Sequence, residues 1–180
     1  HGRHGNAWVA TDSSWVVGVE AVRDAITCPA LPMTSVFSIR PLGDGEMLVA
    51  GDAGGGHLRL SSPATYQAIP ALDQERVWDL LDDGEGGYWA ATDAGLTRIT
   101  GGAPFVSQRI GADHPVLGGP GRALLRRGND LWVGTLNGLA VVQPDGAVRS
   151  IEAIDGSSLG YVYTLVRDGD TVWIGTLGNG

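Results

Sequence analysis

Nine residues recur along this chain with small changes: AWVATDSSW at 7–15, MLVAGDAGG at 47–55, YWAATDAGL at 88–96, LWVGTLNGL at 131–139 and VWIGTLGNG at 172–180. Aligned on their large apolar residue (Trp8, Leu48, Trp89, Trp132, Trp173), the copies lie 40, 41, 43 and 41 residues apart. A unit this small cannot bury its apolar face alone, so the fold must be a stack of like units. The apolar residues do not recur at helical spacing, which excludes helical repeats of similar length.

Each period divides the same way. A short apolar strand comes first: VFSIR (36–40), VWDLL (77–81), RALLR (122–126) or YVYTLV (161–166). A Gly/Asp turn follows, with the chemistry that hairpins need for positive φ. The signature strand is next, then the turn TDAG or TLNG, a third apolar strand, and a more polar fourth such as TYQAI or FVSQRI. Four antiparallel strands per period of about 40 residues make one blade of an all-β propeller. The sequence divides into a partial blade at 1–34, blades at 35–75, 76–120 and 121–160, and a partial blade at 161–180.

The residue two after each anchor is small: Ala10, Ala50, Ala91, Gly134 and Gly175. A large residue followed by a small one suits a wedge that tapers toward an axis, the anchor filling the gap to the next blade. Trp89, Trp132 and Trp173 are therefore expected to be buried between blades. The first blade lacks its inner strand and the last its outer two. Both would leave unpaired edges, so the chain reads as part of a larger ring or as one that associates through its ends.

Composition narrows the function. Glycine is abundant, 29 of 180 residues, yet 43% of the chain is hydrophobic, which indicates tight turns between short strands instead of disorder. The net charge is −8, with 12 arginines, no lysine and no basic cluster. That balance argues against nucleic acid or an anionic membrane surface as a partner. No run approaches the roughly 18 apolar residues of a membrane span. The single cysteine, Cys28, excludes an internal disulfide.

The pattern V-x-x-L, D-G, L-W-V-G-T-x-x-G-L resembles the two-component regulator propeller repeat. The likeness is closest at 77–100, 122–143 and 162–177 and weaker at 36–60, where Leu48 replaces the tryptophan. It implies a non-catalytic, ligand-sensing β-propeller domain of a bacterial signal-transduction receptor, in front of a histidine kinase or diguanylate cyclase. It also implies a periplasmic or extracytoplasmic location and a ring of about seven blades, of which four to five are present here. The partners it suggests are a small-molecule or saccharide ligand, and the remaining blades or a second protomer.

Candidate sites fall on two kinds of loop. Asp12, Asp52 and Asp93 each stand four residues after an anchor, in the turn between second and third strands. Three equivalent carboxylates can ring a channel entrance and hold Ca²⁺; the same residues also make ordinary turns, and Leu136 and Leu177 replace them in later copies. No other cofactor is expected. In the inter-blade connections, Arg76, Asp113, His114 and Tyr161 are candidate ligand contacts, with Asn137 in a two-to-three turn. Each also reads as a solvated loop residue or, for Tyr161, as a packing aromatic.

The rival class is a lyase or hydrolase with a histidine base at the channel mouth. Only His57 and His114 lie inside the repeats, with no nucleophile elbow, zinc spacing or phosphate loop. A protein-interaction scaffold is the third reading.

Overall fold

The repeat folds as a series of antiparallel sheets. The computed structural model describes residues 7–10, 16–20, 24–27, 30–61, 63–101 and 105–178, the first three segments by backbone alone. β1 (Ala7–Ala10), β2 (Val16–Glu20) and β3 (Asp24–Thr27) make a three-stranded sheet. The second sheet runs β4 (Val36–Gly43), β5 (Glu46–Gly51), β6 (Gly54–Arg59), β7 (Thr65–Ala68) in sequential order. The third does the same with β8 (Val77–Asp82), β9 (Tyr88–Thr92), β10 (Gly95–Thr100) and β11 (Val106–Ile110). The fourth uses β12 (Gly121–Arg127), β13 (Asp130–Thr135), β14 (Gly138–Val142) and β15 (Val148–Ile151). Residues 153–160, read from the sequence as a loop, hold a short hairpin of β16 (Ala153–Ile154) and β17 (Ser157–Ser158). The last sheet pairs β18 (Tyr161–Asp168) with β19 (Thr171–Leu177). Among the described residues no helix is long and apolar enough to cross a membrane.

The chain divides into two compact units, His1–Val77 and Trp78–Gly180. In the first, Leu31, Met33, Met47, Val49 and Leu58 form the buried cluster of the second sheet. The hairpin GDGE turns with positive φ at Gly43, Asp44 and Gly45, the conformation that its glycines make accessible.

In the second unit the third, fourth and last sheets pack face to face, and strand register explains how. On the third sheet, Ala91, Leu96 and Ile110 stand side by side on β9, β10 and β11. They meet the matching row Leu124, Val133 and Ala140 of the fourth sheet in one buried cluster. The opposite face of the fourth sheet meets Val162, Leu165, Val172 and Ile174 of the last sheet through Ala123, Leu125, Trp132 and Leu139.

In the second unit the small residues Ala91 and Gly134 mark where the next inner strand crosses. A Cβ on Gly121 would lie 3.1 Å from the Cα and Cβ of Ala91. At Gly134 a Cβ would stand 2.7 Å from Val162 Cγ1 and 2.9 Å from its carbonyl oxygen, so no side chain fits there. Backbone contact, more than taper alone, sets residue size at this position.

The anchors themselves differ from the expectation. Leu48 is fully buried, but Trp89 and Trp132 are only half-buried and Trp173 is 63% exposed. Trp89 and Trp132 lie one row nearer the hairpin end of the strands. There the Arg98 and Arg127 guanidiniums stack at 5.2 and 5.4 Å from the ring centroids. A cation over an indole face covers it while leaving it partly wet. Trp173 shares its face with exposed Val166, and no described sheet covers either. Trp8 lies in β1, and its side chain is outside the described residues.

Candidate functional site

The second strands of the third and fourth sheets end in the same turn, and a threonine builds it. Thr92 Oγ1 donates to the carbonyl of Gly95 (3.2 Å) and accepts the N–H of Ala94 (3.1 Å). Thr135 repeats this with Gly138 (3.1 Å) and Asn137 (3.0 Å). Both threonines are buried, and Gly95 and Gly138 close the turns at φ +113° and +121°, where glycine carries no Cβ penalty. In the second sheet Gly51 takes the threonine's place, because a Cβ there would collide with the Ser35 carbonyl and the Met33 sulfur.

The aspartate that follows has another role in each copy. Asp52 Oδ1 accepts the N–H groups of Thr34 (2.8 Å) and Ser35 (3.0 Å), and Oδ2 accepts the Thr34 hydroxyl. It thus clamps the segment entering β4. The Thr34 hydroxyl, then the Ser35 N–H, hold its carboxyl below the usual range. Asp93 accepts Trp78 Nε1–H at 2.7 Å and pairs with Arg122 at 3.1 Å, and that guanidinium lies 4.1 Å from the Trp78 ring centroid. This cluster ties the third sheet to the fourth. Arg122 reaches it because β12 bulges between Gly121 and Ala123, which re-aims the intervening side chain. Asp12 lies outside the described residues. Among those described, no three His, Cys, Asp or Glu side chains converge as metal ligands.

The connection from β11 to β12, residues 111–120, is the most elaborately built loop of the second unit. His114 Nδ1 accepts the N–H groups of Val116 (3.2 Å) and Leu117 (3.3 Å), two residues buried in the inter-sheet core. The His114 carbonyl accepts Gly118 N–H at 2.8 Å. Asn137 Nδ2 donates to the Pro115 carbonyl at 3.0 Å, and Leu136 N–H to Pro120 at 3.0 Å, so the neighbouring turn holds the loop down. Asp113 is exposed beside His114. The structure therefore brings Asp113, His114 and Asn137 together. Tyr161, 48% exposed at the start of β18, is not joined to them by any described bond. Arg76 is exposed in the other unit.

Sequence reasoning missed three groups. Asp79, buried in β8, bonds Leu124 N–H across to the next inner strand at 2.8 Å. Trp78 and Arg122 occupy inner-strand positions with no repeated signature. Arg98 fills a register position that Val141 fills in the fourth sheet, facing Trp89 as Val141 faces Trp132.

Four-stranded sheets in sequential order, packed face to face with inner strands crossing at small residues, define a β-propeller. Solved structures share this fold. The extracellular domain of the hybrid two-component system BT4673 from B. thetaiotaomicron matches with a TM-score of 0.73 at 21% identity, over 94% of this chain and 24% of that one. The corresponding domain of BT3049 from the same organism gives 0.68 at 21% identity, over 97% and 24%. Virginiamycin B lyase from Staphylococcus aureus gives 0.69 at 16% identity, over 97% and 60%. This chain thus spans about a quarter of the two receptor domains' length. The receptor domains are consistent with the two-component regulator propeller resemblance, and the likeness itself shows the fold. No family model and no curated protein sequence matches the chain.

Proposed function

We propose that this chain is a ligand-detecting propeller region of a bacterial signal-transduction receptor. A small molecule or saccharide would be bound by the loop face around Asp113, His114, Asn137 and Tyr161. Two of the solved propellers it resembles are extracellular domains of hybrid two-component systems, which supports a sensor and an extracytoplasmic location.

The fold is equally that of a lyase, so the choice rests on His114. A histidine acting as general base is commonly oriented by a carboxylate that accepts its other ring N–H. Here Nδ1 is an acceptor for two backbone N–H groups, and no carboxylate bonds to the ring among the described residues. That arrangement makes His114 the keystone of a rigid loop, and rigid loops on a scaffold suit recognition.

Calorimetry against a panel of neutral and acidic oligosaccharides tests the reading. Saturable heat that is lost in Asp113→Ala and Asn137→Ala, with no turnover, supports it. Catalytic consumption of any bound compound favours the lyase.

A further inference from the structure

At the opposite end of the strands from the loop 111–120, the third and fourth sheets part to leave a cleft of about 430 Å³. That volume falls in the range of small-molecule sites, about 300–1,000 Å³. Register fixes its two walls. Trp89, Arg98 and Gln108 stand side by side on one sheet. Arg126, Leu131 and Val142 stand side by side on the other.

Asp83 organises the charges. Its side chain is 3% exposed, and Oδ1 accepts the N–H groups of Glu85 and Gly87, both at 2.8 Å. Oδ2 stands 3.6 Å from Arg98 Nη2, which also bonds Glu85 at 3.2 Å. The Asp83 carbonyl accepts Arg126 Nη2 at 3.2 Å. One buried residue therefore holds two guanidiniums at the cleft. The Glu85 carboxylate is engaged by Arg98, whereas Arg126 uses one of its five N–H donors in that bond.

The fold does not require this polarity. At the equivalent junction Val141 stands where Arg98 does, an apolar cluster packs beside Trp132, and a single arginine, Arg127, covers the ring. We propose that the cleft is a second ligand site, taking a small molecule that carries a carboxylate on an apolar body. The carboxylate would meet the fork of Arg126, whose geometry matches it bidentately. The body would lie against Leu131, Val142 and the Trp89 ring. This site is independent of the loop-face reading.

Benzoate is the probe, with benzamide as its uncharged isostere, followed by ¹H–¹⁵N spectra of the protein. The Trp89 indole N–H and the Leu131 and Val142 amides are expected to shift saturably, with a dissociation constant on the order of 10 mM for so small a ligand. Benzamide and the Arg126→Gln variant should each bind at least about ten-fold more weakly, since the charge-assisted fork is lost. Added salt should weaken benzoate binding to the unaltered protein, a readout that needs no variant. No saturation by about 50 mM, equal binding of benzamide, or indifference to Arg126→Gln and to salt would each overturn the proposal.

Discussion

The carboxylate of Asp79 accepts the backbone N–H of Leu124 at 2.8 Å, joining the inner strand of one sheet to the inner strand of the next. Inner strands are sheet edges, so half of their N–H groups have no ladder partner. Asp79 satisfies one of these and also accepts the N–H of Leu80 at 3.0 Å. Asp79→Ala leaves buried donors unpaired and should cost about 2–3 kcal/mol in urea unfolding. Asp79→Asn, which keeps an acceptor oxygen, should cost less. A loss below about 0.5 kcal/mol for the alanine variant would show that the bond carries no weight.

Gly134→Ala should destabilise by about 1–3 kcal/mol, because the new methyl meets the Val162 backbone. Thermal unfolding measures this, and Gly134→Val should be worse. An alanine variant as stable as the parent would mean that β18 can shift away from β13.

Asp93→Ala removes the acceptor of Trp78 and the ion partner of Arg122, whose side chain is 10% exposed. Asp93 itself is half in solvent, so the effect is screened. A loss of about 1–2 kcal/mol is expected, larger than for a solvated turn residue. Because the carboxylate is already engaged, adding Ca²⁺ should leave the melting temperature of the parent protein unchanged. A calcium-dependent rise that Asp93→Ala abolishes would instead establish a cation site.

The period, the strand order and the hairpin turns were legible because they follow from local chemistry: alternating apolar runs, Gly/Asp turns and a fixed repeat length. Asp52 and Asp93 were visible as equivalent positions but not as a clamp on Thr34 and a partner of Arg122. Those roles depend on what the incoming segment and the next sheet supply. Trp89 and Trp132 read as buried because a large anchor should fill the gap to the next blade. Yet Arg98, paired with Trp89 from β10, and Arg127, at the end of β12, lie over their rings. The cleft was invisible for the same reason. Arg98 and Arg126 are 28 residues apart, and only sheet packing brings both to Asp83.

Acid should release the Asp52 clamp. Its carboxyl titrates below the ordinary 3.8, chiefly because the Thr34 hydroxyl and the Ser35 N–H bond the charged form. A depressed carboxyl stabilises the fold fully above its unfolded value, and that contribution is lost as pH falls from about 3.8 through the lowered folded value. The parent should therefore lose more stability than Asp52→Asn between pH 5 and pH 2, roughly the window in which such a carboxylate titrates. Parallel pH profiles for the two proteins would contradict this.

The loop face is the centre of the account, and mapping a bound oligosaccharide by ¹H–¹⁵N spectra tests it most directly. Amides of Asp113 and His114 and the side-chain amide of Asn137 should shift together and saturate, and the ligand should be recovered unchanged. Shifts confined to other surfaces, or ligand cleaved or rearranged during the titration, would contradict it.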